Sequence, residues 1–130
     1  MRVFKTKWFA RFGRQERIDD RNLVEAIRRA EKGLIDTDLG GGLVKQRLAR
    51  ERQGRSGGYR TIIAYRSKHR AIFLYGFAKS RRANIGSDEL TSLRKMGQRW
   101  IDADEDGIVS GVHEREIEEI FYGQENQSHR

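Results

Sequence analysis

The chain has no cysteine, few histidines and no long apolar run, and each of these shortages removes a class of function. Without cysteine among its 130 residues there is no disulfide framework and no thiolate metal site, and nothing requires an oxidising compartment. The first twelve residues mix Arg2, Lys5, Lys7 and Arg11 with Val3, Phe4, Trp8 and Phe9. A secretory leader or membrane span is therefore not expected, and a cytoplasmic location is. Of the three histidines, His69 falls in a short turn of Ser67, Lys68, His69 and Arg70 between two strand-like runs, and His113 and His129 have no better setting. No histidine pair is available for acid–base work. The length suits one domain with a modest core.

What the chain has is positive charge, unevenly placed. Residues 1–101 carry 25 Lys and Arg against 10 Asp and Glu, a net +15, whereas residues 102–130 carry 2 against 9, a net −7. Affinity for a polyanion belongs to the first part. The second reads as an acidic extension.

Along the chain, Val3 and Phe4 begin a strand, and Trp8, Phe9 and Phe12 follow at near-helical spacing up to Gly13. Asp19 or Asp20 caps a second helix that buries Leu23, Ile27 and Ala30, with Gly33 as its stop. The Gly40-Gly41-Gly42 triplet lacks the Gly-Lys-Ser/Thr sequel of a phosphate-binding loop. Three strand-like runs come next: Leu43 to Leu48, Gly58 to Tyr65 and Ile72 to Ser80, the first two separated by a polar loop from Ala49 to Gly57. Period two turns Val44 and Leu48 to one face and Lys45 and Arg47 to the other. Ser87 is the expected cap of a last helix with Leu90, Leu93, Gly97 and Trp100 on one stripe. The fold class is α+β, in the order β-α-α-β-β-β-α, with helices on one face of a small antiparallel sheet of mixed edge and the opposite face left for a ligand. A short helix at about 113–122 is expected within the extension, with Ile117, Ile120 and Phe121 as its apolar patch.

Leu43-Val44-Lys45-Gln46-Arg47, Gly54-Arg55-Ser56-Gly57-Gly58-Tyr59-Arg60 and Phe73-Leu74-Tyr75-Gly76-Phe77-Ala78-Lys79-Ser80 together resemble the RelE superfamily of bacterial toxins, nearest its HigB-like branch. The resemblance covers roughly residues 1–101, taken as a toxin domain, with 102–130 as the extension. It implies a ribosome-dependent endoribonuclease that cuts mRNA in the decoding site without metal or organic cofactor and is restrained by a cognate antitoxin. It also implies catalytic roles for Lys45, Arg47, Arg60, Lys79 and Arg81, with Arg60 gripping phosphate and Lys45 as base. Arg82 and Asn84 become RNA contacts, Phe77 a base-stacking ring, and Arg50, Arg52 and Arg55 contacts to ribosomal RNA. The chain lacks a C-terminal histidine matching the one some HigB-like members use, so no acid is assigned.

Independently of any family, cutting RNA without a metal needs a deprotonated 2′-hydroxyl, charge stabilisation on the phosphate and a proton for the departing 5′-oxygen. Clustered cations can serve, since neighbouring positive charge lowers a lysine pKa and arginine binds phosphate oxygens bidentately. Two other readings stand beside this one: a ParE-like gyrase inhibitor on the same fold, and a non-catalytic RNA-binding or calcium-responsive module. The latter rests on Asp102, Asp104, Asp106 and Gly107, which match the start of a calcium loop, but the twelfth position is His113 where a glutamate is needed. That substitution argues against calcium. The extension's charge suggests that it shields the basic body or mimics RNA, or that it contributes to the antitoxin contact.

Overall fold

Along the strand Arg70–Ala78 every residue is buried except the half-buried Tyr75, a pattern that requires cover on both faces of a sheet. The structure, a computed structural model, describes residues 1–50 and 54–121, and of Arg50 and residues 54–57 only the backbone. Its elements are β1 (Arg2–Thr6), α1 (Lys7–Glu16), α2 (Asp20–Glu31), β2 (Thr37–Gly40), β3 (Leu43–Arg50), β4 (Gly54–Arg66), β5 (Arg70–Ala78), α3 (Ser87–Asp102), α4 (Glu105–His113) and β6 (Ile117–Ile120). The α+β class is as expected. The six strands form one sheet in the order β2-β3-β4-β5-β1-β6, with β1 parallel to β5 and every other pair antiparallel.

One core lies between the sheet and α1 and α2, built on Phe9, Leu23, Ile27, Val44, Leu48, Tyr59, Ile63 and Phe73. The other lies between the opposite face and α3 and α4, with Phe4, Leu43, Ile62, Ile72, Leu74, Trp100 and Ile108. Helices therefore cover both faces, in place of the single covered face expected. The α3 layer needs close approach: a Cβ on Gly97 would stand 3.0 Å from the Ala64 Cβ and 3.1 Å from Leu43. At the end of α3 the buried Arg70 donates from one Nη1 to the carbonyls of Trp100 (2.7 Å), Ile101 (3.2 Å) and Ala103 (2.9 Å). Those carbonyls would otherwise lack helical partners. Arg70 thus belongs to β5 and anchors α3, where a turn residue was expected.

Other boundaries also shift. Gly13 lies inside α1, which ends at Arg17 in the left-handed conformation (φ 56°). Asp19 caps α2 by accepting from the Asn22 amide, as expected, and Gly33 (φ 82°) follows its end. Gly86, one residue before the expected Ser87, caps α3. The polar loop expected from Ala49 to Gly57 is largely strand: β3 runs to Arg50, which pairs with Gly54 of β4. The glycine triplet is the β2–β3 turn, all three residues at positive φ, a conformation open chiefly to glycine.

The expected helix at about 113–122 is replaced by α4, capped when Asp104 accepts from the Gly107 amide (2.8 Å), and by β6, which pairs with β1. Ile117 and Ile120 stand three apart, a helical spacing, yet on a strand that odd spacing sends one residue to each core. Residues 117–120 are thus built into the sheet. Acidic residues of this segment pair with Arg2 (Glu105, Glu119), Arg66 (Asp102) and Arg99 (Glu116). Among the described residues they pair with none of the predicted site cations, so this part of the extension does not shield them. No helix among the described residues is long and apolar enough to cross a membrane.

Candidate functional site

On the face that carries α3, strands β3, β4 and β5 present a further row of side chains. Alternation along β3 buries Val44, Gln46 and Leu48 and leaves Lys45 half-buried and Arg47 exposed. Antiparallel pairing sets Arg47 opposite Arg60, and Arg60 opposite Phe77. The adjacent row is Lys45, Ile62 and Tyr75.

Tyr75 and Phe77 reach this face through an irregularity. Ile63 pairs with Phe73 while Ile62 pairs with Tyr75, so Leu74 is an extra residue on β5, a β-bulge that reverses the facing of everything after it. Phe73 packs toward α1, 5.2 Å between ring centroids from Phe9. Strict alternation would have sent Tyr75 and Phe77 there as well. Instead Gly76 takes that side, where a Cβ would stand 2.7 Å from Phe12.

Arg60 is 9 % exposed. Its burial, reinforced by the charge of Arg47, pushes its pKa down, with Asp36 opposing. Burial of this kind disfavours the charged form of a guanidinium. Arg47 is positioned from below. The fully buried Gln46 donates to the carbonyls of Ala26 (3.0 Å) and Leu34 (3.2 Å) and accepts from the Asp36 amide (2.7 Å). The Asp36 carboxylate in turn accepts from the Arg47 amide (2.7 Å) and guanidinium (3.1 Å). Burial would raise the Asp36 pKa, but these hydrogen bonds and the charges of Arg47 and Arg29 hold it below the usual carboxylate range.

The segment after β5 folds back over the row. Arg81 and Arg82 donate backbone bonds to the Ala78 carbonyl, and Lys45 Nζ donates to Asn84 Oδ1 (3.4 Å). Arg82 lies over Phe77, 5.4 Å from its centroid, donates to the Tyr75 hydroxyl (3.4 Å) and binds both oxygens of Glu89 (2.7 and 3.1 Å). With only 5 % of Phe77 exposed, a base could reach that ring only after Arg82 moves.

Six predicted residues thus converge: Lys45, Arg47, Arg60, Phe77, Arg82 and Asn84. Lys79 and Arg81 are exposed just past the end of β5, with the Lys79 amide bonded to the Gly58 carbonyl (3.0 Å). The backbones of Arg50 and Arg55 lie in β3 and β4, and Arg52 lies outside the described residues. Sequence reasoning missed Asp36 and Glu89. No local signal marks the two carboxylates, whose partners are 11 and 7 residues away. Of the calcium-loop candidates, Asp102 is engaged with Arg66 and Gln98 and Asp104 in capping α4.

A family model described as the RelE toxin of the RelE/RelB toxin–antitoxin system matches residues 1–120. No curated protein matches the chain significantly.

Proposed function

Because the chain belongs to the RelE toxin family, we propose that it is a HigB-like toxin acting as a ribosome-dependent mRNA endoribonuclease that needs neither metal nor organic cofactor. Membership implies an antitoxin partner, and toxins of this family are generally ribonucleases. The observation that carries the finer reading is the register row of Arg47, Arg60 and Phe77 beside Lys45, which gathers cations and rings on one face of the sheet.

In this reading Arg60 and Arg47 bind the scissile phosphate and stabilise the charge that develops on it. Lys45, one register row from Arg47 and Arg60, takes the proton from the 2′-hydroxyl. Lys79, just past β5, gives a proton to the departing 5′-oxygen, Arg81 beside it binds phosphate, and Asn84 orients Lys45. Arg82 exchanges Glu89 for RNA phosphate, which frees the Phe77 ring for a base. Arg50, Arg52 and Arg55 meet ribosomal RNA. The protein acts in the cytoplasm, residues 1–101 carrying the catalytic residues.

The test is primer extension on mRNA in a purified translation system, with intact protein and Arg60→Ala. Cuts within ribosome-bound codons are expected from the intact protein. Loss of one preorganised charge donor should slow them about 10²–10³-fold in a variant that remains folded. Absence of cuts by the intact protein on translating ribosomes would reject the nuclease reading.

A further inference from the structure

The face of α1 turned away from the sheet carries Lys7, Arg11 and Arg14 at i, i+4 and i+7. At about 100° per residue these fall within roughly a 60° arc, spaced along about 10 Å of helix. All three are exposed, while Phe9, Ala10 and Gly13 bury the opposite face. Arg14 lies in the last turn, where the helix dipole favours a cation, but the rest of the arrangement works against the helix. Lys7 occupies a first turn that holds no acidic residue, where the helix dipole disfavours a cation, and like charges at this spacing repel. Among the described residues no carboxylate pairs with any of the three, whereas Arg2, Arg29, Arg66, Arg82 and Arg99 each have one.

A physical bridge joins this face to the cationic row. Strand β1 ends at Thr6, so α1 starts beside the bulged part of β5. Trp8, next to Lys7 and 45 % exposed, stacks on Tyr75 with centroids 4.5 Å apart, and Tyr75 lies 6.3 Å from Phe77. Positive charge and aromatic surface therefore continue from the candidate site around the sheet edge onto α1.

We propose that Lys7, Arg11 and Arg14 form a second contact for an RNA phosphate backbone, separate from the catalytic row and reached past Tyr75 and Trp8. This rests on the RNA reading of the site but not on cleavage. The contact supplies affinity: three phosphates neutralised on a single strand contribute about 2 to the slope of log affinity against log salt, at about 0.7 each.

The experiment uses the full chain, a short uncleavable 2′-O-methyl RNA and purified small ribosomal subunits, each titrated across a salt series. The Lys7→Gln/Arg11→Gln/Arg14→Gln variant is compared with intact protein and with an equal charge removal elsewhere, Lys32→Gln/Lys68→Gln/Lys95→Gln. Expected is an affinity about 10–100-fold lower at moderate salt, a slope shallower by about 2, and unchanged cleavage at saturating protein, with a smaller effect in the control. Loss on both RNAs would assign the contact to single-stranded RNA, and loss on subunits alone to ribosomal RNA. Unchanged binding to both, or an equal loss in the control, would overturn the proposal. If the intact protein binds neither RNA, the RNA reading fails and the proposal with it; binding without cleavage would sink only the nuclease reading.

Discussion

Asp36 ties the cationic row to the body of the protein, and replacing it separates two contributions that occur together in the native state. Its carboxylate accepts from the Arg47 amide, the Arg47 guanidinium and Arg29 Nη1 (3.3 Å). Hydrogen bonds to a charged group contribute about 1.5–3 kcal/mol each in favourable cases. The Arg47 side chain is 46 % exposed, however, which reduces its ion pair to about 0–1 kcal/mol. Asp36→Ala removes every acceptor and should lower stability by about 2–3 kcal/mol, as the midpoint of urea unfolding at neutral pH. Asp36→Asn keeps an acceptor for the amide and should cost about 1 kcal/mol. The two variants also differ from the parent in pH dependence. Because the folded carboxyl is held below its unfolded value of about 3.9, its contribution is complete above about pH 4 and fades as pH falls through the folded pKa. The stability gap between parent and Asp36→Asn should therefore be constant from pH 7 to about 5 and narrow below 4. An Asp36→Ala variant within about 0.5 kcal/mol of the parent, or a gap that does not narrow in acid, would refute the reasoning.

Three further outcomes follow from the packing. Gln46→Leu leaves the Ala26 and Leu34 carbonyls and the Asp36 amide without their partner, and should cost about 3 kcal/mol or more in urea unfolding. Arg70→Met strips the buried donor from the end of α3 and should cost about 2–3 kcal/mol, with amide hydrogen exchange accelerated most in α3 and α4. Gly97→Ala forces a Cβ against Ala64 and Leu43 and should cost about 1–3 kcal/mol by overpacking, visible as a lower thermal midpoint.

Much of the placement of the candidate residues was legible because it depends on a period of two. Lys45 and Arg47 share a face for that reason alone, and Arg60 stands among apolar neighbours that mark its strand. What escaped was every feature whose cause lies outside its own segment. The resemblance put Phe77 among the cations, but the reason that it and Tyr75 face them, the extra residue Leu74 opposite β4, is a bulge that leaves no mark in composition. The segment Ile117–Ile120 carries a helical spacing that became a strand, because β1 offered a free edge and two cores offered a place on each side. Arg70 looks like turn material until α3 places three carbonyls around it.

By itself the sequence determined the class of fold, the positive first hundred residues, the caps at Asp19 and Gly33 and the alternation that parts core from cation. These depend on neighbours within a few positions along the chain, where backbone geometry dictates the outcome. Tertiary structure alone decided that both faces of the sheet are covered, that the candidate site shares a face with α3, and that Asp36 and Glu89 hold Arg47 and Arg82. Those depend on strand register and helix approach, which are settled by the joint packing of residues distant in sequence.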